Sequence, residues 1–213
     1  MKTSVFNLII LDASGSMQSI KQSAIDSVNE TLQTIRSAQS RHDDQEHFVT
    51  LVTFNDVVKT ISECAPAEEV AELTADTYLP CCCTALYDAM GQSLTALRPQ
   101  VAEADRVLVT VVTDGYENAS REYSGKAVKA LVDELKAKGW VFAYMGANQD
   151  VEAVAATMSI TNAMKCEAND YGYRKMSKKA NKCRDRLYES IAYCSFNMEK
   201  ANKDFFADDD EEQ

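Results

Sequence analysis

The stretch Val5-Phe6-Asn7-Leu8-Ile9-Ile10-Leu11 followed by Asp12-Ala13-Ser14-Gly15-Ser16 decides how this chain is read. A dense apolar run, broken only by Asn7, ends on a carboxylate and two hydroxyls at alternate positions. Such a run reads as a strand covered on both faces. At its end the chain turns, and Asp12, Ser14 and Ser16 can direct their oxygens toward one point. Converging hard oxygens suit a hard cation such as Mg²⁺ or Mn²⁺. Alone the pattern is a common turn. Two later segments strengthen it: Cys83-Thr84-Ala85-Leu86, which opens a helical pattern, and Val111-Val112-Thr113-Asp114-Gly115, which ends another apolar run.

Working outward, apolar runs alternate with helical patterns, the signature of an α/β protein with a central sheet flanked by helices. The first strand spans about Val5–Leu11. A helix follows over about Ser19–Ala38, with Ile25, Val28, Leu32 and Ile35 on one face. Phe48–Phe54 is the second strand. Asn55-Asp56 turns it into Val57–Ile61, giving one antiparallel strand at the edge of a mostly parallel sheet. Glu63–Pro80 is irregular, with a short helix expected around Glu68–Leu73. A helix from Ala85 stops at Pro99. Arg106–Thr113 is a continuous apolar strand, and a helix over Ser124–Lys138 ends at Gly139. Trp140–Met145 is a strand, Asp150–Met158 a short helix and Asn162–Cys166 a last short strand. About Asp170–Phe206 reads as one helical stretch, with Met176, Ala180, Cys183, Leu187, Ile191, Cys194 and Met198 as its stripe. The expected organisation is a main domain over residues 1–168, a packed helical extension over 169–206 and an acidic disordered tail over 207–213.

Composition narrows the function classes. The chain has 213 residues, 46% of them hydrophobic, enough for one sizeable core. Its net charge of −11 disfavours nucleic acid and anionic lipid as partners. No apolar stretch approaches the ~20 residues that span a bilayer. The expected compartment is the cytoplasm. Seven cysteines, three of them consecutive (Cys81, Cys82, Cys83), make a disulfide framework a poor fit. With His42 and His47 as the only histidines, a His/Cys zinc site is poorly supported.

The set Asp12, Ser14, Ser16, Thr84 and Asp114, in that order and each at the end of an apolar run, resembles the von Willebrand factor A (integrin I-like) domain. That family carries a metal-ion-dependent adhesion site built from D-x-S-x-S, a distant Thr and a distant Asp followed by Gly. The likeness runs from about Val5 to Ile160, and Thr113–Ser120 looks like a bacterial, intracellular-type branch. The resemblance implies a doubly wound, Rossmann-like sheet in which the strands carrying Asp12 and Asp114 are neighbours. It implies metal ligation by Ser14, Ser16 and Thr84, with Asp12 and Asp114 mainly holding ligand waters. It also implies a non-enzymatic function: a protein partner supplies Asp or Glu to a bound Mg²⁺, with Mn²⁺ as the other candidate. A Mg²⁺-dependent phosphatase or hydrolase is the alternative from another class. It lacks support from a D-x-D, G-x-x-x-x-G-K-[ST] or G-x-S-x-G motif. An accessory subunit of a bacterial ATPase or stress-response complex differs from the leading reading only in partner class.

Each residue also has a plain explanation. Asp12 and Ser14 suit a helix cap, Thr84 suits the cap of the helix from Ala85, and Asp114-Gly115 suits an ordinary turn. Asn118 and Ser120 are expected to steady the loop after Asp114, and Tyr116 and Tyr87 to sit on the rim. The family usually has Gly or another small residue where Cys82-Cys83 stand before Thr84. A free cysteine is commonly buried, so these are expected to be small packed fillers. A redox or soft-metal role is the other reading.

Overall fold

The computed structural model describes residues 2–147, 150–167, 169–193 and 195–207. Six strands form one sheet in the order β3-β2-β1-β4-β5-β6. They are β1 (Thr3–Asp12), β2 (Gln45–Phe54), β3 (Val58–Pro66), β4 (Arg106–Thr113), β5 (Trp140–Gly146) and β6 (Asn162–Lys165). All pairs are parallel except β2 with β3. The expected doubly wound sheet with one antiparallel edge strand is therefore present, and β1 lies between β2 and β4.

The helices are α1 (Lys21–Arg41), α2 (Leu86–Leu97), α3 (Gly125–Ala137), α4 (Val151–Thr157), α5 (Asp170–Ala192) and α6 (Met198–Asp204). The two-residue period of β1 sends Val5, Ile9 and Leu11 into a core beneath α1 and α5, and Phe6, Leu8 and Ile10 into one beneath α2, α3 and α4. On α1 the residues Ile25, Val28, Leu32 and Ile35 are all buried, as their spacing predicts. The chain takes a 3₁₀ turn over Gly15–Ile20 before α1 begins, so the helix starts two residues later than expected. Ser124 caps α3 by accepting the Ala127 N–H, and Gly139 leaves the helix at φ +94°.

Three expectations of the fold fail. β3 runs on to Pro66, into the segment from Glu63 that was expected to be irregular, because it stays paired with β2 as far as Phe48. No helix forms at Glu68–Leu73. That segment lies along α1, whose side chains hold its backbone. Arg36 donates to the carbonyls of Ala67 and Val70, while Asn29 donates to the Leu73 carbonyl and accepts its N–H. With those groups satisfied from outside, an internal helical ladder is not needed. The C-terminal stretch is also two helices rather than one. α5 lies against α1 with Met176, Ala180, Cys183, Leu187 and Ile191 buried, as its stripe predicts. The chain then breaks and α6 docks on the sheet edge. Asn202 donates to the Trp140 carbonyl, and Asn162 donates to the Ala201 carbonyl and accepts the Phe205 N–H. These bonds, one from α6 to a strand carbonyl and two from a strand side chain to the backbone of α6 and its end, fix α6 where a continuous helix would run past the sheet. Cys194 and the acidic end, residues 208–213, lie outside the described residues.

Asn7, the one polar residue in the β1 run, faces α5. Its Oδ1 accepts the Tyr188 hydroxyl and its Nδ2 donates to the Phe48 carbonyl. His47 joins this network. Gln45 Oε1, which can only accept, lies 2.9 Å from Nε2, and Asn7 Nδ2, which can only donate, lies 3.5 Å from Nδ1. The neutral tautomer with hydrogen on Nε2 satisfies both. Burial foremost, then the charges of His42 and Arg184, lowers the His47 pKa to about 4 from 6.5. The unfolded chain takes up this proton near 6.5, and the folded chain resists it to about 4. The stability His47 contributes is therefore complete above 6.5 and falls as the pH drops toward 4, by about 3 kcal/mol. Urea unfolding of wild type and His47→Gln between these pH values is expected to show the wild type losing stability faster. Parallel curves would rule this out.

Candidate metal centre

The first crossover, through α1, runs from β1 to β2 on one side, and β4 returns on the other side of β1. Strand order reverses between β1 and β4, where sheets of this type hold ligands at the carboxyl ends of their strands. Asp12 is the last residue of β1, and Asp114 follows the last residue of β4.

The five expected residues meet there. Ser14 Oγ lies 3.1 Å from Ser16 Oγ, and the Ser16 hydroxyl donates to Asp114 Oδ1 at 2.5 Å. Gly115 stands beside three of them. A Cβ built on it would stand 3.0 Å from Thr84 Oγ1 and 3.6 Å from both Asp12 Oδ2 and Ser16 Oγ. Three segments far apart in sequence thus surround one small space that any side chain larger than glycine's would enter.

Each residue is held by its surroundings. Asp12 is fully buried, with Oδ1 accepting the Ser14 N–H at 2.6 Å and Oδ2 accepting the Thr113 hydroxyl at 2.5 Å. Its carbonyl accepts the buried Tyr78 hydroxyl. Burial raises the Asp12 carboxyl to about 6 against the lowering effect of the Thr113 and Ser14 bonds, and the Asp114 charge adds to the rise. Asp114 is also raised by burial, opposed by the Ser16 hydrogen bond. Thr84 is clamped by Asn118, whose Oδ1 accepts the Thr84 N–H at 2.9 Å and whose N–H donates to the Thr84 carbonyl at 3.0 Å. The capping explanations find no hydrogen bond. Ser14 makes no side-chain cap to the turn it precedes, and α2 has Ala85 at its cap position with none either.

Residues the sequence reading passed over build the surrounding loop. The Asp88 carboxylate, in the first turn of α2, accepts the N–H groups of Arg121, Glu122 and Tyr123 at 2.7, 2.9 and 2.7 Å. Glu117 accepts from the N–H groups of Tyr87, Ala119 and Ser120 and from the Ser120 hydroxyl. Ser120 Oγ also accepts the Asp88 N–H at 3.1 Å, so Ser120 braces the loop against α2, while Asn118 ties it to Thr84 just before that helix. Thr113 was legible as the residue before Asp114. Asp88 reads in sequence as an ordinary first-turn acid. On the rim Tyr116 is exposed, whereas Tyr87 is half-buried against Gly125.

The three cysteines depart from expectation. All are exposed rather than packed, and Cys82 takes φ +67°, a glycine-like conformation. The Cys82 thiol is pushed up to about 11, chiefly by its hydrogen bond to Cys81. The cause of the exposure is the chain path. Cys81 N–H bonds to the Ala13 carbonyl and the Cys82 carbonyl accepts the Gly15 N–H, which turns the side chains outward over the site's edge.

The donor set fits a hard cation. Among the described residues no group of three His, Cys, Asp or Glu side chains gathers, so a soft or His-rich site is not what converges here. Hydroxyls and carboxylates do. An octahedral Mg²⁺ with ligands at about 2.1 Å places adjacent oxygens about 3.0 Å apart, close to the 3.1 Å between Ser14 and Ser16. His47, by contrast, lies at the other end of the sheet, paired in register with Val5. A groove of about 680 Å³ between α1 and α5, lined by Glu30, Arg41, Lys178 and Asp185 among others, is open and away from these strand ends. Among the described residues no helix is long and apolar enough to cross a membrane.

No family model and no curated protein sequence matches the chain. Solved structures do. The proximal thread matrix protein 1 of the mussel byssus, solved with zinc in its MIDAS motif, superposes with a TM-score of 0.60 at 16% identity, over 86% of this chain and 46% of that one. The PilB minor pilin of Streptococcus sanguinis gives 0.61 at 11% identity over 92% and 64%. A von Willebrand factor type A protein from Catenulispora acidiphila gives 0.53 at 12% identity over 83% and 42%. The chain thus spans less than two thirds of the length of each. By its strand order, its single antiparallel edge and these likenesses, the chain has the von Willebrand factor A fold.

Proposed function

We propose that the chain is a metal-dependent protein-binding module. Ser14, Ser16 and Thr84 hold a Mg²⁺ ion, with Mn²⁺ as a substitute, and Asp12 and Asp114 support it. A partner protein presents Asp or Glu to the cation. The observation that carries this reading is the convergence of five oxygen-bearing side chains at the sheet's reversal point: Asp12, Ser16 and Thr84 beside Gly115, with Ser14 and Asp114 joined to Ser16. The zinc-occupied motif of the mussel protein adds that this fold accommodates a divalent ion.

The cation supplies positive charge and open coordination for an incoming carboxylate. The chain's own residues do the rest. Neutral serine and threonine hydroxyls leave that charge largely uncompensated at the surface. The buried Asp12, fixed by Thr113 and the Ser14 N–H, and the Ser16–Asp114 bond hold the hydroxyls in place. Asn118 ties Thr84 to the loop that follows Asp114. Binding rather than catalysis is proposed because both histidines stand away from this cluster, His42 closing α1 and His47 in the α5 network.

Calorimetric titration of EDTA-stripped protein with Mg²⁺ and Mn²⁺ tests the reading, beside Gly115→Ala. One saturable site is expected in wild type, and about tenfold or greater loss in the variant, whose methyl group fills the cradle. Thermal unfolding of the metal-free proteins should differ little, since the nearest contact is a hydroxyl at 3.0 Å. Equal affinity in both proteins would place any cation elsewhere.

A further inference from the structure

Cys81 and Cys82 are exposed, and their sulfurs are in contact: the Cys82 thiol donates to Cys81 Sγ at 3.1 Å. Cys81 Sγ accepts a second bond from Asn55 Nδ2 at 3.3 Å. Cys83 is exposed too, but the sulfur contact joins the first two. The same dipeptide is pinned by its backbone to the Asp12–Ser16 loop at both ends. The Cys81 N–H reaches the Ala13 carbonyl at 2.8 Å, and the Cys82 carbonyl accepts the Gly15 N–H at 3.1 Å.

We propose that Cys81 and Cys82 are a redox-active vicinal dithiol, whose oxidation to an internal disulfide displaces the Ala13–Gly15 backbone and weakens the cation site. The effect on the cation rests on the function proposed above; the thiol chemistry does not. The oxidant is a low-molecular-weight disulfide of the glutathione type. Cys81 sulfur, which accepts both hydrogen bonds, attacks one sulfur of that disulfide. A mixed disulfide forms on Cys81, and one small thiol leaves with the proton Cys81 gives up. Cys82 sulfur then attacks Cys81 sulfur, breaks the mixed disulfide and releases the second small thiol with the proton of Cys82. Two protein S–H bonds are lost and one S–S bond forms. The small disulfide receives two electrons and two protons.

The geometry makes the product labile and felt nearby. Neighbouring Cα atoms across a trans peptide are about 3.8 Å apart, inside the ~4.4 Å lower limit of ordinary disulfides. The ring is therefore strained, and strained exposed disulfides are the readily reduced, regulatory kind. The ring closes through ψ of Cys81, the peptide bond between the two residues and φ of Cys82, so the strain is relieved at those torsions, and Cys82 already sits at φ +67°. Both bonds to the loop leave from these two residues.

The test uses the whole chain, reduced and metal-free, incubated with rising ratios of glutathione disulfide to glutathione. Thiols are alkylated and mapped by mass, the Gly15 and Cys81 amides are followed by NMR, and Mn²⁺ is titrated before and after. Wild type is expected to lose two alkylatable thiols, retain no glutathione and carry a bridge mapping to Cys81–Cys82. Its Gly15 resonance moves, its Mn²⁺ affinity falls about ten- to a hundredfold, and dithiothreitol reverses all of these. Cys82→Ser is expected to keep glutathione on Cys81, because the one thiol in contact with the Cys81 sulfur is gone. A wild type that stays glutathionylated, a bridge to Cys83, or an unmoved Gly15 amide in the oxidised protein would overturn the proposal. Should reduced wild type take up no Mn²⁺, the cation reading falls, while the mass and NMR arms still decide the dithiol.

Discussion

Asp12→Asn is expected to cost about a hundredfold in Mn²⁺ affinity and, in the same protein, to raise the stability of the metal-free fold. The two effects have one source. Asp12 is an uncompensated carboxylate in a buried place, and burial lifts its pKa to about 6. A group whose folded pKa is raised stabilises the fold at low pH and loses that contribution as the pH climbs through the folded value. At pH 7 the charged form is thus held at a cost of as much as about 3 kcal/mol. The amide is isosteric. Its oxygen still accepts the Ser14 N–H, and its NH₂ can donate to the Thr113 hydroxyl, which rotates to accept. Calorimetric titration and thermal unfolding of the EDTA-treated proteins at pH 7 read both effects. An unchanged affinity would remove Asp12 from the site, and a less stable variant would make it a structural residue instead.

Asp88→Ala carries the largest expected loss of stability. The carboxylate collects three consecutive backbone N–H groups and holds the whole turn over residues 121–123 against α2. Bonds to a charged acceptor contribute about 1.5–3 kcal/mol each, and water recovers part of that at a half-buried loop. A loss of about 4 kcal/mol in urea unfolding is expected. Asp88→Asn keeps the oxygen that serves Glu122 and Tyr123 and presents an NH₂ to Arg121, so it should lose about half as much. Mn²⁺ affinity should fall in step, because the Asn118 clamp on Thr84 belongs to the same loop. A variant as stable as wild type would mean that the loop is held by Glu117 and the Asn118 pair alone.

The central strands were legible because they are covered on both faces. An unbroken run such as Val107–Val112 has few other places to go, and Arg106–Thr113 was located to the residue. Asp12 and Asp114 were legible for a related reason: a polar residue at the end of such a run stands where the strand emerges, whereas Thr84 ends no strand and was picked out by the resemblance. Asp88 and Glu117 were not legible because their role is to accept N–H groups from a loop more than thirty positions away, or from within that loop, and no pattern in the chain announces it. The Glu68–Leu73 segment and the break before α6 were misread for the same cause. In both, side chains from another element bond to the backbone, and local periodicity carries no trace of them. The cysteines reversed expectation because backbone pairing with Ala13 and Gly15, not hydrophobicity, sets which way they face.

β1 forms its second parallel pairing with a strand about a hundred positions downstream: Asp12 meets Thr113 across 101 residues, and Ser16 meets Asp114 across 98. A pairing so remote carries the closure entropy of the intervening chain, which its contacts have to offset. The cradle around Gly115 exists only where both strand ends are in place. A ligand that bridges them binds the chain in which β1 and β4 are paired, and so acts as a latch on that pairing. Its concentration sets how often the central pair of strands parts, by the RT ln(1 + [L]/Kd) of any ligand that ignores the unfolded chain.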